Sequence, residues 1–204
     1  ATTGTVQDGN LQYQLDGKTY RIPIKTLRGD FRASQGNTGN RLRQWAKADF
    51  VAASDDVFQE RLYAIHWTSK DTLTDARPKT YFAAPTDADL KRELQVEKIV
   101  AENLTRWQDE GLVPDMAIEP GDKTDEPIRT RGWTHWHHLF SPRQILVAAL
   151  VHGQIQNMPA DVQPALCLSL AKMLDWSSKL CRYGTGAARE SIIRCRCISM
   201  SAGS

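Results

Sequence analysis

The sequence predicts an α+β protein, in which an N-terminal antiparallel β-hairpin and sheet region precedes a mainly helical region. Strand-like alternation and turn dipeptides fill the chain up to about residue 85. A long amphipathic helical pattern follows directly, and two apolar helical stretches come later. We therefore predict a β-rich region over residues 1–85, a helical region over 86–192 and a separate, disordered tail over 193–204.

The composition fits a globular protein with a core of its own. The chain has 204 residues, of which 41% are hydrophobic, and its net charge of +2 permits a polyanionic partner without requiring one. All four cysteines lie in the last quarter, which is not typical of a disulfide scaffold. No stretch has the roughly 20 apolar residues of a membrane span. We expect a cytoplasmic protein with no membrane partner.

The first local signal is a hairpin in LQYQLDGKTYRIPI, residues 11–24. Apolar residues alternate on both sides of Asp16-Gly17, a dipeptide that favours a two-residue turn. Pairing about this turn places Tyr13 opposite Tyr20 and Leu11 opposite Ile22, and such cross-strand pairs stabilise a hairpin.

Three further strands are predicted after this hairpin, over residues 49–53, 61–68 and 80–84. Residues 32–40, RASQGNTGN, contain many turn-forming residues and no apolar period, so we expect a surface loop. Residues 70–78 are predicted to connect the last two strands.

The helical region begins with a capping signal. Thr86 precedes Asp89 by three positions, and the amphipathic pattern that follows stops at Gly111. Residues 111–130 carry three prolines and five acids and show neither the helical nor the strand period of apolar residues. They are predicted to form a loop or linker. Two more helices are expected over 142–156 and 162–180. Ser141 and Gln144 form a capping box around the first of them, with Pro142 at its first position.

The segment RTRGWTHWHHLFSPRQ, residues 129–144, contains three arginines, two tryptophans and three histidines. Its histidines suggest a metal site, but zinc needs three or four converging ligands. In an extended segment His135 and His137 share one face while His138 lies on the other, so two ligands converge at best. We therefore predict that this chain binds no metal here.

A nucleic-acid surface is the second interpretation of this segment. Arginines can hold phosphates while flat aromatic rings stack on exposed bases. The candidate residues are Arg129, Arg131, Trp133, Trp136 and Arg143. The competing interpretation makes both tryptophans core residues. Both interpretations hold together if Trp133 is buried and Trp136 is not. The nearby acids, Asp122, Asp125 and Glu126, are assigned to a solvated loop without catalysis.

These residues also carry a resemblance. The stretch PDMAIEPGDKTDEPIRTRGWTHWHHLFSPRQILVAALV, residues 114–151, resembles the central region of large bacterial adenine-specific DNA methyltransferases that contain an inserted zinc ribbon and often occur in anti-phage loci. The stretches 60–72, 81–93 and 177–191 are similar to neighbouring parts of that family. The resemblance extends over most of residues 4–191.

The resemblance implies a reaction in which a flipped-out adenine, held at an Asp-Pro-Pro-Tyr loop, attacks the methyl group of S-adenosylmethionine. This sequence contains neither that motif nor the family's glycine-rich cofactor loop. Gln12 and Leu15 stand where the family has its Cys-x-x-Cys zinc ligands. We therefore expect no zinc, no cofactor and no methyl transfer in this chain alone. The tail IIRCRCISMSAGS departs from the family as a truncated or frame-shifted end would.

The expected function is thus that of a methyltransferase fragment, which supplies scaffold and DNA contacts. Its implied partners are DNA and the remaining methyltransferase domains or other defence-system proteins. Two alternatives stay open, namely a non-enzymatic structural or protein-interaction module and a stand-alone nucleic-acid-binding domain.

Overall fold

The computed structural model describes residues 4–181 and the strand 198–200. A three-stranded antiparallel sheet comes first and helices follow, which confirms the predicted α+β class. The strands are β1 (Gly4–Gln7), β2 (Asn10–Leu15), β3 (Lys18–Pro23), β4 (Phe31–Arg32), β5 (Thr38–Gly39), β6 (Phe58–Glu60), β7 (Ile65–Thr68), β8 (Thr80–Ala83) and β9 (Ile198–Met200). The helices are α1 (Ile24–Leu27), α2 (Asp87–Asp109), α3 (Asp125–Arg131), α4 (Pro142–Gln156) and α5 (Gln163–Ser177), with 3₁₀ turns at Lys70–Thr72 and Trp136–Leu139.

The chain forms two compact units that alternate along the sequence. The sheet unit comprises Ala1–Glu60, Ala117–His135 and Ile198–Ser204, and the helical unit comprises Arg61–Met116 and Trp136–Cys197. This division differs from the sequence-based boundary at residue 85, which stays a prediction. Of the tail predicted to be disordered, residues 198–200 pair with β6, and the remainder lies outside the described residues.

The predicted hairpin is confirmed in its register. Tyr13 lies opposite Tyr20 and Leu11 opposite Ile22, and the two tyrosine rings stack with centroids 5.2 Å apart. Leu11 is the buried residue of this sheet.

A third strand, β1, was not predicted. It pairs with β2 across Asp8-Gly9, whose φ values of 48° and 70° nearly repeat those of Asp16-Gly17, at 50° and 74°. Both dipeptides form the left-handed two-residue turns that suit twisted hairpins. The repeated Asp-Gly was the sequence signal for this strand.

The strand predicted over residues 49–53 is wrong. Asp49 and Asp56 turn their carboxylates back onto the amides of Ala46 and Ala53, at 2.7 and 2.8 Å. Such side-chain to backbone bonds close local turns and compete with strand pairing. Residues 32–40, predicted as a loop, contain the turn and all but the first residue of the short β4–β5 hairpin. β7 begins only at Ile65, because its partner strand ends at Ala83, shortly before Pro85.

The long helices follow the prediction closely. α2 and α4 each begin with a complete capping box, formed by Thr86 with Asp89 and by Ser141 with Gln144. These helices and α5 enclose the core of the helical unit. Its buried members are Val96, Val100, Leu104, Trp107, Val113, Leu139, Ile145, Ala149, Ile155 and Leu170. Within the described residues, no helix has the length and apolar character needed to cross a bilayer.

Residues 111–130 were expected to be a loop, and α3 occupies their end. It begins with Asp125 and Glu126 and ends at Arg131, which is followed by Gly132 with a φ of 76°. Acids at the start and a left-handed glycine at the end are the usual signals of helix termini. The helix has only seven residues, so no apolar period could indicate it.

Candidate nucleic-acid interface

The five residues predicted to bind nucleic acid do not form one cluster within either unit. Arg129, Arg131 and Trp133 belong to the sheet unit, at α3 and the residues that follow it. Trp136 and Arg143 belong to the helical unit, on a 3₁₀ turn and on α4.

Trp133 is a core residue of the sheet unit. It is 4% exposed and meets Trp45 edge-on, with ring centroids 6.3 Å apart. Two hydrogen bonds hold this pair together. The Trp45 amide donates to the Gly132 carbonyl at 2.8 Å, and the Thr134 hydroxyl donates to the Trp45 carbonyl. Burial leaves Trp133 no face for a base. Trp136, at 37% exposed, keeps an accessible ring.

The three candidate arginines differ in how their charges are used. The Arg131 guanidinium lies 4.6 Å from the centre of the Phe58 ring and donates to the Thr130 carbonyl. Arg143 donates to the Glu93 carboxylate through Nε at 2.8 Å and through its terminal nitrogen. Arg129 is exposed, and its side chain forms no ion pair within residues 4–181. Of the three, Arg129 is the one best placed to contact a phosphate.

A cavity of about 220 Å³ in the sheet unit gathers charged and aromatic side chains. One cation that lines it, Arg43, is ion-paired: it donates to Asp56 at 2.8 and 2.7 Å and to Asp49 at 2.5 Å. Burial alone would raise the pKa of Asp56. Hydrogen bonds from Arg43, from the Ala53 amide and from the Trp45 indole outweigh it and hold this pKa below its usual value. The pKa of Arg43 is correspondingly raised, chiefly by its hydrogen bond to Asp56. Three acids, Asp55, Asp56 and Glu60, line this cavity, so it is poorly suited to an anion.

The structure draws attention to a basic segment that the sequence prediction missed, residues 18–47. It contains eight lysines and arginines but a single acid, Asp30, which pairs with Arg28 at 2.6 Å. Five of the cations are exposed and form no ion pair within the described part of the chain: Lys18, Arg21, Lys25, Arg32 and Arg41. The net charge of +2 for the whole chain does not reveal this segment, because acids elsewhere in the sequence balance its positive charge. A charge count over a moving window would have found it.

The elements that carry these cations follow one another in the sheet unit. Lys18 and Arg21 lie on β3, Lys25 on α1 and Arg32 on β4. Arg41 follows β5, and its amide donates to the Arg28 carbonyl at 3.0 Å. Cations without acidic partners in the described residues therefore follow one another along this stretch of chain, and such side chains can hold phosphates.

The histidines of residues 135–138 lie in and beside a 3₁₀ turn. The 3₁₀ turn at Trp136–Leu139 replaces the extended segment that was expected, and His137 and His138 are fully buried. The His137 Nδ1 lies 3.4 Å from the Gln108 amide nitrogen, and His135 Nδ1 lies 2.9 Å from the Thr134 hydroxyl. Among the residues that the structure describes, no three His, Cys, Asp or Glu side chains are placed to share a metal ion. Cys195 and Cys197, whose Cys-x-Cys spacing is too close for a typical zinc site, lie outside the described residues.

No family model, no curated protein and no solved structure matches this chain. The family resemblance that residues 114–151 carry therefore remains a prediction.

Proposed function

We propose that this chain is a scaffold and DNA-contacting part of an adenine-specific DNA methyltransferase of the family that it resembles. The observation that carries the DNA-binding half of this proposal is the basic segment, in which five exposed cations form no ion pair with any residue between 4 and 181. Exposed Arg129 belongs to the same unit and adds a sixth. Trp136, in the helical unit, has the accessible ring that an unpaired base could use.

Phosphate contacts predict a specific salt dependence. Each Lys or Arg that neutralises a phosphate releases counterions, and contributes about 0.9 to the slope of log affinity against log salt. Such contacts carry no sequence information by themselves. The fragment is therefore expected to bind duplex DNA weakly and without sequence preference, while recognition of a site would come from other methyltransferase domains.

Catalysis is not part of the proposed role of this chain. S-adenosylmethionine and the target adenine are held, in the family, by a glycine-rich loop and an Asp-Pro-Pro-Tyr loop, and this sequence has neither. The partners of the proposed role are DNA and the remaining methyltransferase domains, or other proteins of an anti-phage defence system.

A charge-matched pair of variants tests the proposal. The triple variant Arg21→Ala, Arg32→Ala, Arg41→Ala removes three cations of the basic segment. The control variant Lys91→Ala, Lys98→Ala, Lys172→Ala removes three exposed cations of the helical unit. Duplex binding is measured by fluorescence anisotropy from about 50 to 200 mM salt. The first variant should lose about 3 from the salt slope and the control less than 1. Equal losses would reject the basic segment as the interface.

The alternative of a protein-interaction module has its own support. Leu150 on α4 and Leu168 on α5 are 57% and 73% exposed, and a partner could cover them. Sedimentation of the purified chain distinguishes the two functions. Self-association without affinity for DNA would favour the interaction module, whereas a monomer that binds DNA would favour the methyltransferase fragment or a stand-alone nucleic-acid-binding domain.

A further inference from the structure

The β7–β8 hairpin of the helical unit exposes an unusual number of aromatic rings. Trp67 is 41% exposed and Tyr81 is 54% exposed, and the two residues lie directly opposite each other in the ladder. Directly opposed residues project from the same face of a ribbon. The other face carries His66 and Phe82, whose rings stack at 4.4 Å with an interplanar angle of 13°.

The Trp67 and Tyr81 rings are not used for packing against other rings. Neither stacks on an aromatic side chain within residues 4–181, while His66 and Phe82 stack on each other and stiffen the ribbon from behind. Tyrosine and tryptophan have few rotatable bonds, so a stiff ribbon presents them at a low entropic cost. The face formed by Trp67 and Tyr81 is called the aromatic face below.

The hairpin and the residues that flank and connect its strands carry an excess of positive charge. Residues 61–84 contain four lysines and arginines and two acids, Asp71 and Asp75. The four cations are exposed and form no ion pair in the described part of the chain: Arg61, Lys70, Arg77 and Lys79. The Ser69 amide donates to the Lys79 carbonyl at 2.8 Å, which extends the ladder beyond β8. Strand alternation then places Lys79 on the same face as Tyr81, two residues further along.

We propose that the aromatic face binds unpaired bases of single-stranded nucleic acid. Flat exposed rings stack on bases of any sequence, and neighbouring lysines and arginines hold the phosphates between them. Bases inside a duplex are already stacked and cannot use such rings. This site does not rest on the proposed function, because it uses no residue of the basic segment.

A protein partner fits this surface less well. Tryptophan, tyrosine and arginine are also common at protein interfaces, so the distinction rests on charge: the four cations of residues 61–84 form no ion pair within the described residues. The excess positive charge over these residues complements a phosphate chain. An apolar protein surface would have to desolvate those cations without pairing them.

The test separates stacking from apolar contact. A double variant Trp67→Leu, Tyr81→Leu retains apolar side chains but removes the rings, and Trp67→Phe, Tyr81→Phe retains the rings. The probes are a fluorescein-labelled 12-nucleotide oligo(dT) and a 12-base-pair duplex, followed by anisotropy at low salt. We expect the leucine variant to lose between about 5-fold and 100-fold in affinity for oligo(dT), with its duplex affinity unchanged. The phenylalanine variant should stay close to the parent chain.

Photocrosslinking of the parent chain provides a test that needs no variant. A single-stranded oligonucleotide containing 5-iodouracil should crosslink to the tryptic peptides that contain Trp67 and Tyr81, residues 62–70 and 80–91. Crosslinks confined to other peptides would overturn the proposal. So would a parent chain that does not bind oligo(dT), or a folded leucine variant that binds it as the parent does. Loss of duplex binding in the basic-segment variant leaves these outcomes unaffected, so the two proposals fail separately.

Discussion

Gly132 lies at a point where the backbone permits no side chain. Its φ is 76°, and a Cβ built there would lie 2.1 Å from the Arg43 carbonyl oxygen. We expect Gly132→Ala to lower the free energy of unfolding by at least about 2 kcal/mol, because left-handed strain and a backbone collision add together. Urea denaturation of the purified variant measures this change.

Gly111 provides the matched control for this substitution. It also follows a helix in the left-handed conformation, at φ 73°, but a Cβ there would meet nothing within 4 Å. Gly111→Ala should therefore cost only the strain, about 1 kcal/mol. Equal costs at both positions would show that the contact with Arg43 does not constrain the chain.

Asp56 is expected to make stability depend on pH in the acid range. Its carboxylate is 9% exposed and bonded to Arg43, and its pKa is lowered below the ordinary 3.8. A lowered pKa in the folded chain stabilises it above the ordinary value, and that contribution is lost as the pH falls through the folded pKa. Asp56→Asn should cost about 1–2 kcal/mol at pH 7, a modest figure because Arg43 is one-third exposed.

The pH dependence of this difference is the measurement that matters. The gap in unfolding free energy between the parent and Asp56→Asn should narrow as the pH falls below about 4. Asp55→Asn, at an exposed neighbour without such bonds, should stay within about 0.5 kcal/mol of the parent throughout. A gap that stays constant down to pH 2 would contradict the role assigned to Asp56.

At the scale of elements, Gln144 joins two helices of the helical unit. Its side-chain oxygen accepts from the Ser141 amide at 2.8 Å, and its side-chain nitrogen donates to the Ser177 carbonyl at the end of α5. Gln144→Leu strands two backbone groups in a buried place, so we expect a loss of about 2–4 kcal/mol by urea denaturation. Gln154→Leu makes the same change at an exposed position of α4 and should be nearly neutral.

How far the sequence predicted each element depended on the range of its interactions. The capping boxes at Thr86 and Ser141 are local, so α2 and α4 could be placed almost to the residue. The strand predicted over 49–53 failed because Asp49 and Asp56 bond to their own backbone and to Arg43, a choice that depends on the fold. α3 was too short to show a period.

The candidate site was predicted only in part, because the accessibility of a side chain depends on the fold and not on local sequence. Residue type identified Trp133 and Arg143 as candidates, but burial and ion pairing decide whether such side chains can reach a ligand, and both depend on the fold. Trp133 is enclosed beside Trp45, and Arg143 is bonded to Glu93. The basic segment was visible in the sequence as a local charge excess. Knowing which of its cations lack acidic partners required the structure.

For the molecule as a whole, the proposed function predicts an inactive chain. Purified residues 1–204, incubated with DNA and labelled S-adenosylmethionine, should transfer no methyl group to adenine above background. The physical reason is that neither loop that holds the reacting partners is encoded in this sequence. A bacterial adenine methyltransferase assayed in parallel serves as the positive control. Methyl transfer by the contaminant-free chain would overturn the fragment interpretation.

The alternation of the two units along the chain governs how the protein can be dissected. Trp45 lies within the first sixty residues of the chain. Trp133, whose indole packs beside it, lies after α2 in the sequence. A shortened polypeptide ending at residue 85 would lack Trp133. It would also lack Gly132, whose carbonyl accepts a hydrogen bond from the Trp45 amide. Cutting at a single position therefore cannot yield an intact sheet unit. Separating the units would require rejoining the chain on either side of residues 61–116.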